Sequence, residues 1–496
     1  MVFRTVQTRA LHELETRTWA STSPSFTQSL MSSSLGGAAP AEPEPEPQLA
    51  EGAPQQGAGA PAAGESERAA DPLVSEYTRY GISLAGLLHF SQMVAALIAD
   101  EHTTSDVCQT IIKPQTLPSG WRTQPELTDA TNRYYTHTYF PVPAAGGAEG
   151  APQPTAPPGT KSMCQVLEED PATRRFVGAP THFLSHAWGF LFLNLLSGLQ
   201  SFVGQLPADA PEPFFWIDCF VLDQHANNDQ GAEWWRTTFM RAIGDIGHTV
   251  MMLSPWSNPV PLTRSWCLWE LYCSHQTQAR FSVCLGEAER DALHEAIVQR
   301  SGVVLEAFAT IDVRSAEAGD PADRERILRA VEETVGSVQL NAIAKRQLRE
   351  WILSEARALV RSASVSGRVQ IGSLLRELGC LAEARQVAED AAEAAGHQGA
   401  GVAEACVSQA NVYGQQGDYP KALEYYGKSL GIKIASVGEQ HLDVGRTYMG
   451  MAQTYERQGN LAEARDLYRK AMAIFRETHG ERYTPWFEEQ ISRVTE

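Results

Sequence analysis

The stretch that decides the fold runs from Thr181 to Leu285, where THFLSHAWG (181–189), PFFWIDCFVLDQH (213–225), HTVMMLSPW (248–256), LTRSWCLWELYC (262–273) and FSVCL (281–285) follow one another. THFLS, FFWIDCF, TVMMLS and RFSVCL are short apolar runs of the length of buried strands. Between the first two lies FLFLNLLSGLQSFVG (190–204), and between the second and third lies WWRTTFMRAIGDIG (234–247), both of helical length with apolar residues recurring at three and four. Strand and helix in alternation predict a parallel sheet covered on both faces. In such a sheet a ligand sits beyond the carboxyl ends of the strands. Those ends read Ser185-His186-Ala187-Trp188-Gly189, Asp218-Cys219 and Ser254-Pro255-Trp256, which makes that rim the place to look for function.

Working outward, 59 acidic against 40 basic residues leave a net charge of −19, which argues against binding a phosphate backbone. Nucleic acid is therefore not an expected partner. Eight scattered cysteines with no secretory start read as reduced intracellular thiols, and the expected location is the cytoplasm. Residues 1–71 read as a solvated acidic tail, because Ala41 to Asp71 holds seven acids among Ala, Pro, Gly and Gln and almost nothing to bury. Met1 to Gly37 is rich in Ser and Thr with three arginines, as in a transit peptide, but Glu13 and Glu15 break the acid-poor pattern.

Residues 72–140 read as a helical extension packing on the α/β domain. Ile82 to Ala99 contains no charge and is long enough to raise a membrane span. Ser83, His89, Ser91 and Gln92 interrupt it, and its leucines form one helical stripe, so a packed helix is expected and no membrane span. Residues 141–160 form a Pro/Gly/Ala linker. The α/β domain is expected over 176–313, with FATIDV (308–313) as one more strand, then a helical connector over 314–362.

Residues 365–490 repeat themselves. Tyr413, Gly417, Ala422, Tyr426 and Leu430 recur as Tyr455, Gly459, Ala464, Tyr468 and Met472, each 42 positions on, and a degenerate copy with Gly379, Ala384 and Ala388 precedes them. Small residues let two helices approach, the glycine ends the first helix, and the aromatics fill between. The pattern is similar to tetratricopeptide repeats, and the long period with QGDYPKALEYYGKSL resembles the kinesin light chain variety. That resemblance implies a groove for a protein or peptide partner.

The strand-end residues carry a second resemblance. FLSH, then Phe-Trp-Ile-Asp, then Leu-Ser, then Ser-Trp-Cys-Leu-Trp-Glu-Leu opening a helix is similar in order and spacing to the TIR domain, over about a fifth of the chain. The resemblance implies a flavodoxin-like parallel sheet, self-association into a homo-oligomer, and, in the enzymatic members, cleavage of NAD by the glutamate of Trp-Cys-x-x-Glu, here Glu270. Ser185 matches the serine ending the first strand and Asp218 the aspartate after the second. The insert DQHANNDQG (223–231) and the loop PWSNPVP (255–261) depart from the family's pattern.

Cys267 and Glu270 are three apart and share a helical face. A carboxylate held near a ribose that has lost nicotinamide stabilises the oxocarbenium charge, and no strong general acid is required. The substrate-site candidates are thus Glu270 as the catalytic group with Ser185, His186, Trp188, Asp218, Trp256, Trp266 and Cys267 around it, and NAD as substrate rather than as a resident cofactor. The alternatives are an ion pair of Glu270 with Arg264, tryptophans that only pack, and a His186–Cys219 pair resembling caspase-like peptidases. Cys267, Cys273, His275 and Cys284 contain no Cys-x-x-Cys pair, so no metal site is expected. No phosphate loop followed by Lys and Ser/Thr occurs.

Overall fold

The computed structural model describes residues 77–129, 134–142, 152–153, 155–225, 235–309, 311–318, 321–396 and 399–495. The expected tail 1–71, most of the linker and the insert beyond His225 lie outside them. Strand β1 (Gly81–Ser83) leads into helix α1 (Leu84–Met93). Ser83 makes the change: its backbone is extended and its Oγ accepts the Gly86 N–H at 3.2 Å, an N-cap that starts the helix there. The uncharged run from Ile82 is therefore strand, cap and helix rather than one helix. Helix α2 (Thr104–Val107) continues through a π-helical turn at Cys108–Ile112, and a hairpin follows, β2 (Trp121–Asp129) against β3 (Tyr134–Pro141). This corrects the wholly helical extension expected over 72–140. The run YYTHTYF is rich in aromatic and β-branched residues, which suit a pleated surface.

After α3 (Met163–Glu169) and the two-residue β4 (Val177–Gly178), the four expected strands appear as β5 (His182–Ser185), β6 (Phe214–Trp216), β7 (His248–Met252) and β8 (Arg280–Cys284). The sheet order is β4-β1-β6-β5-β7-β8. β5 runs parallel to β6 and β7, and β7 to β8, while β1 runs antiparallel to β6 and β4. Read among the parallel strands alone, the order is second, first, third, fourth. Chain direction across the sheet therefore reverses between β5 and β7, and a crevice is expected outside their carboxyl ends.

Helix α4 (Phe192–Gly204) packs with α1. α5 (Asp218–Val221) is one short turn after β6, and α6 (Met240–Ile246) packs on α7 (Ser265–Gln276). After β8 come α8 (Glu287–Gln299) and α9 (Ser301–Ala309). FATIDV is not a strand: Phe308 belongs to α9 and meets the Trp351 ring edge-on at 6.1 Å, Ile311 is buried, and Asp312 caps a turn at Val313–Ser315. Phe308 finds its cover against a helical tryptophan, and among the described residues the sheet ends at β8.

Helices α10 (Pro321–Thr334) and α11 (Ser337–Leu359) connect to three antiparallel pairs: α12 (Val365–Glu377) with α13 (Leu381–Ala395), α14 (Ala400–Gln416) with α15 (Tyr419–Val437), and α16 (Leu442–Gln458) with α17 (Leu461–His479), closed by α18 (Thr484–Arg493). Each pair turns at a glycine with positive φ: Gly379 (81°), Gly417 (82°) and Gly459 (86°). Only glycine takes that conformation without steric cost, which explains why it recurs. Ala384, Ala422 and Ala464 are fully buried where the paired helices cross. One apolar core runs from Tyr80 through the sheet, the connector and the first repeat to Val412 of the second; another holds the last repeat from Val444 to Val494.

Candidate functional site at the strand carboxyl ends

β5 delivers Ser185, and the residues after it, His186 and Trp188, turn over the rim. The start of α5 delivers Asp218, and the first two turns of α7 bring Cys267 and Glu270 underneath. The Trp188 Nε1–H donates to Asp218 Oδ2 at 2.7 Å, and the Cys219 N–H donates to Asp218 Oδ1 at 2.7 Å. His186 Nε2 stands 4.0 Å from Asp218 Oδ1, with the imidazole almost completely buried. The Cys267 thiol donates to the His186 carbonyl at 3.5 Å, which ties α7 to the end of β5. Thus Ser185, His186, Trp188, Asp218, Cys267 and Glu270 come together.

Three polar atoms of this group are sealed from solvent with no hydrogen-bond partner: Ser185 Oγ, His186 Nε2 and Glu270 Oε2. Buried polar atoms are ordinarily satisfied, so three orphans in one place are unusual for a site that serves packing alone. Glu270 as a residue keeps some exposure, but its Oε2 has none. Burial raises the Glu270 carboxyl to about 8, and the nearby Asp218 charge adds to it. The Ser185 hydroxyl opposes the shift, although no hydrogen bond of normal geometry joins the two. Burial lowers His186 against the pull of Asp218, and burial pushes the Cys267 thiol well up, with Glu270 adding to it. At neutral pH this buried cluster is therefore a protonated acid, a neutral imidazole and a thiol. Arg264 makes no ion pair with Glu270.

Trp256 is buried and its backbone N–H donates to Glu289 Oε2 at 2.9 Å; Trp266 is half-buried against the core, one residue before Cys267 and so on another face of α7. The Cys219 thiol is also pushed well up by burial, which makes it a poor nucleophile beside His186. Among the described residues no three His, Cys, Asp or Glu side chains are grouped to hold a metal, and no helix is long and apolar enough to cross a membrane.

Sequence reading missed what holds the rim in place. The Ser105 N–H donates to the Trp188 carbonyl at 2.9 Å, the Thr104 N–H to the Phe190 carbonyl at 2.7 Å, and the Phe192 N–H to the His102 carbonyl at 2.9 Å. Asp106, buried, accepts from Thr103 Oγ1 at 2.8 Å and from the Tyr135 hydroxyl at 2.5 Å, which anchors the hairpin to the same segment. Gln224 Nε2 donates to the Asp218 carbonyl at 2.8 Å. The one local signal was the capping pattern Thr103-x-x-Asp106; the rest is long-range.

The architecture is an α/β domain with a mostly parallel sheet, followed by an all-helical repeat region. In the latter, the sequence model of the tetratricopeptide repeat family matches residues 363–433 and again 403–477. No curated protein matches the chain. Among solved structures, that described as the crystal structure of BtubC (BKLC) from P. vanneervenii is 19% identical, covering 42% of this chain and 77% of that one, with a TM-score of 0.26. An overlay that loose carries no argument.

Proposed function

We propose that this chain is a signalling scaffold: the tetratricopeptide array holds a protein or peptide partner while the α/β domain self-associates through its TIR-like surface. The observation that carries the reading is the set of three helix pairs with positive-φ glycines at equivalent turns, coinciding with the repeat-family match. Repeats of this kind stack into extended surfaces that bind other chains. The 42-residue period supports the kinesin light chain variety, and a cargo adaptor is the narrower form of the reading; the sequence has no N-terminal heptad run for a motor to grip. The test removes residues 439–496, which hold the separate last core, and compares partner capture with the full chain. A partner is then reconstituted from purified components. Capture unchanged by the truncation, and by surface substitutions on α12 and α14, refutes the reading.

The orphaned polar cluster favours a second reading, hydrolysis of NAD at its nicotinamide–ribose bond. The C1′–N bond breaks, its electron pair leaves with neutral nicotinamide, and water adds to the ribose cation with loss of one proton. Glu270, which gives up its proton to solvent when the cationic pyridinium ring enters beside it, stabilises the developing charge, and the unpartnered Ser185 hydroxyl is available to its carboxylate. The full chain at high concentration is incubated with NAD, and nicotinamide release is compared with Glu270→Gln. No release from the assembled wild type leaves the domain as an interaction module.

A further inference from the structure

At the opposite end of the sheet, away from Glu270, lies an unassigned pair of histidines. His182 opens β5 and His248 opens β7, one step before the Phe183–Thr249 pair in a parallel register, so the two are direct neighbours on one face. Their ring centroids are 4.4 Å apart. One nitrogen of each ring meets a hydroxyl: Thr181 Oγ1 lies 2.8 Å from His182 Nδ1, and Ser282 Oγ lies 2.9 Å from His248 Nε2. Phe202 meets both rings edge-on, at 5.7 and 6.2 Å, and limits how they turn. Among the described residues the remaining nitrogens, His182 Nε2 and His248 Nδ1, have no partner, and neither belongs to the polar atoms sealed from solvent.

We propose that His182 Nε2 and His248 Nδ1 together chelate a divalent transition-metal ion of the copper, nickel or zinc class, with water filling the other positions. Neutral imidazole suits these ions, and two rings already oriented by second hydrogen bonds lose little freedom on binding. An ordinary imidazole is mostly unprotonated at neutral pH, so its free lone pair is available to a metal. Arg280 repels a cation, and no third ligating side chain is grouped with the pair, so binding is in the micromolar range or weaker and follows the order in which copper exceeds nickel and zinc. The metal would staple the amino ends of β5 and β7.

The test is copper binding by the full chain followed by electron paramagnetic resonance, with His182→Gln and His248→Gln as single variants checked for fold by circular dichroism. Two equatorial nitrogens are expected in the wild type, one in each variant, with affinity reduced by at least roughly tenfold. A two-nitrogen signal that survives in both folded variants, or no binding at roughly millimolar copper, overturns the proposal. Should a variant fail to fold, zinc protection of the wild type against ethoxycarbonylation decides. His182 and His248, mapped by mass spectrometry among the 13 histidines, must be shielded, and their unchanged modification refutes the site.

Discussion

Replacing Glu270 by Gln should change how stability depends on pH, independently of any activity. The folded carboxyl sits at about 8 against an ordinary value of 4.5, so between those values the folded chain binds more protons than the unfolded one. Stability must then fall as pH rises through that window, and the loss attributable to this one group between about pH 5.5 and about pH 7.5 is about 2.5 kcal/mol. Glutamine does not titrate, so the variant should lack this part of the slope. Its absolute stability is less informative, because the new amide needs a partner beside the orphaned Ser185 hydroxyl and an unmet donor costs about 1–3 kcal/mol. The assay is urea unfolding followed by tryptophan fluorescence at several pH values. Of the 11 tryptophans only Trp486 lies in the repeats, so the signal reports chiefly on the sheet and what packs against it. Parallel pH profiles for wild type and variant would show that the carboxyl is not held protonated by burial, and would remove the physical basis for a tuned site.

The histidine pair predicts the opposite limb: both rings are held low, so stability is present above the ordinary histidine range and is lost as pH falls toward about 4, and His248→Gln measured with chelator present should flatten that acid limb in a circular-dichroism titration. Gly417→Ala and Gly459→Ala each force a side chain into positive φ and should cost about 1–2 kcal/mol in denaturant unfolding of the repeats; a cost near zero would mean that the turns relax. Gly86→Ala places a methyl 2.7 Å from Phe176 Cβ and 2.9 Å from Ile82 Cγ1, so α1 must move off the edge of the sheet, lowering stability by about 1–3 kcal/mol despite the better helix former; a more stable variant would contradict that packing. Tyr468→Phe removes the hydroxyl that donates to Glu456 at 2.8 Å and should destabilise the last repeat by about 1 kcal/mol, read by hydrogen exchange in α16 and α17.

What the sequence determined by itself was whatever short-range pattern specifies. Apolar runs within 181–189, 214–220, 249–254 and 280–285, separated by helical periods, predict strands of a covered parallel sheet, and five residues recurring at one spacing predict stacked helix pairs. Tertiary structure decided the rest, because it depends on partners far along the chain. Strands of three and two residues at Gly81–Ser83 and Val177–Gly178 have no periodicity to display; the first exists because β6 offers an open edge, and the second because β1 then offers another. FATIDV is as apolar and β-branched as a strand, yet Phe308 lies in α9 against Trp351, and Ile311 is buried without belonging to a described strand. Ser185, His186, Asp218 and Glu270 were visible as residue types at strand and helix ends. Their convergence on three unpartnered buried atoms, and the seating of His102–Ser105 on the loop after β5, follow from how the helices close over the rim. Burial, not residue type, sets whether the Glu270 carboxyl keeps its proton, and burial is a property of the folded chain alone.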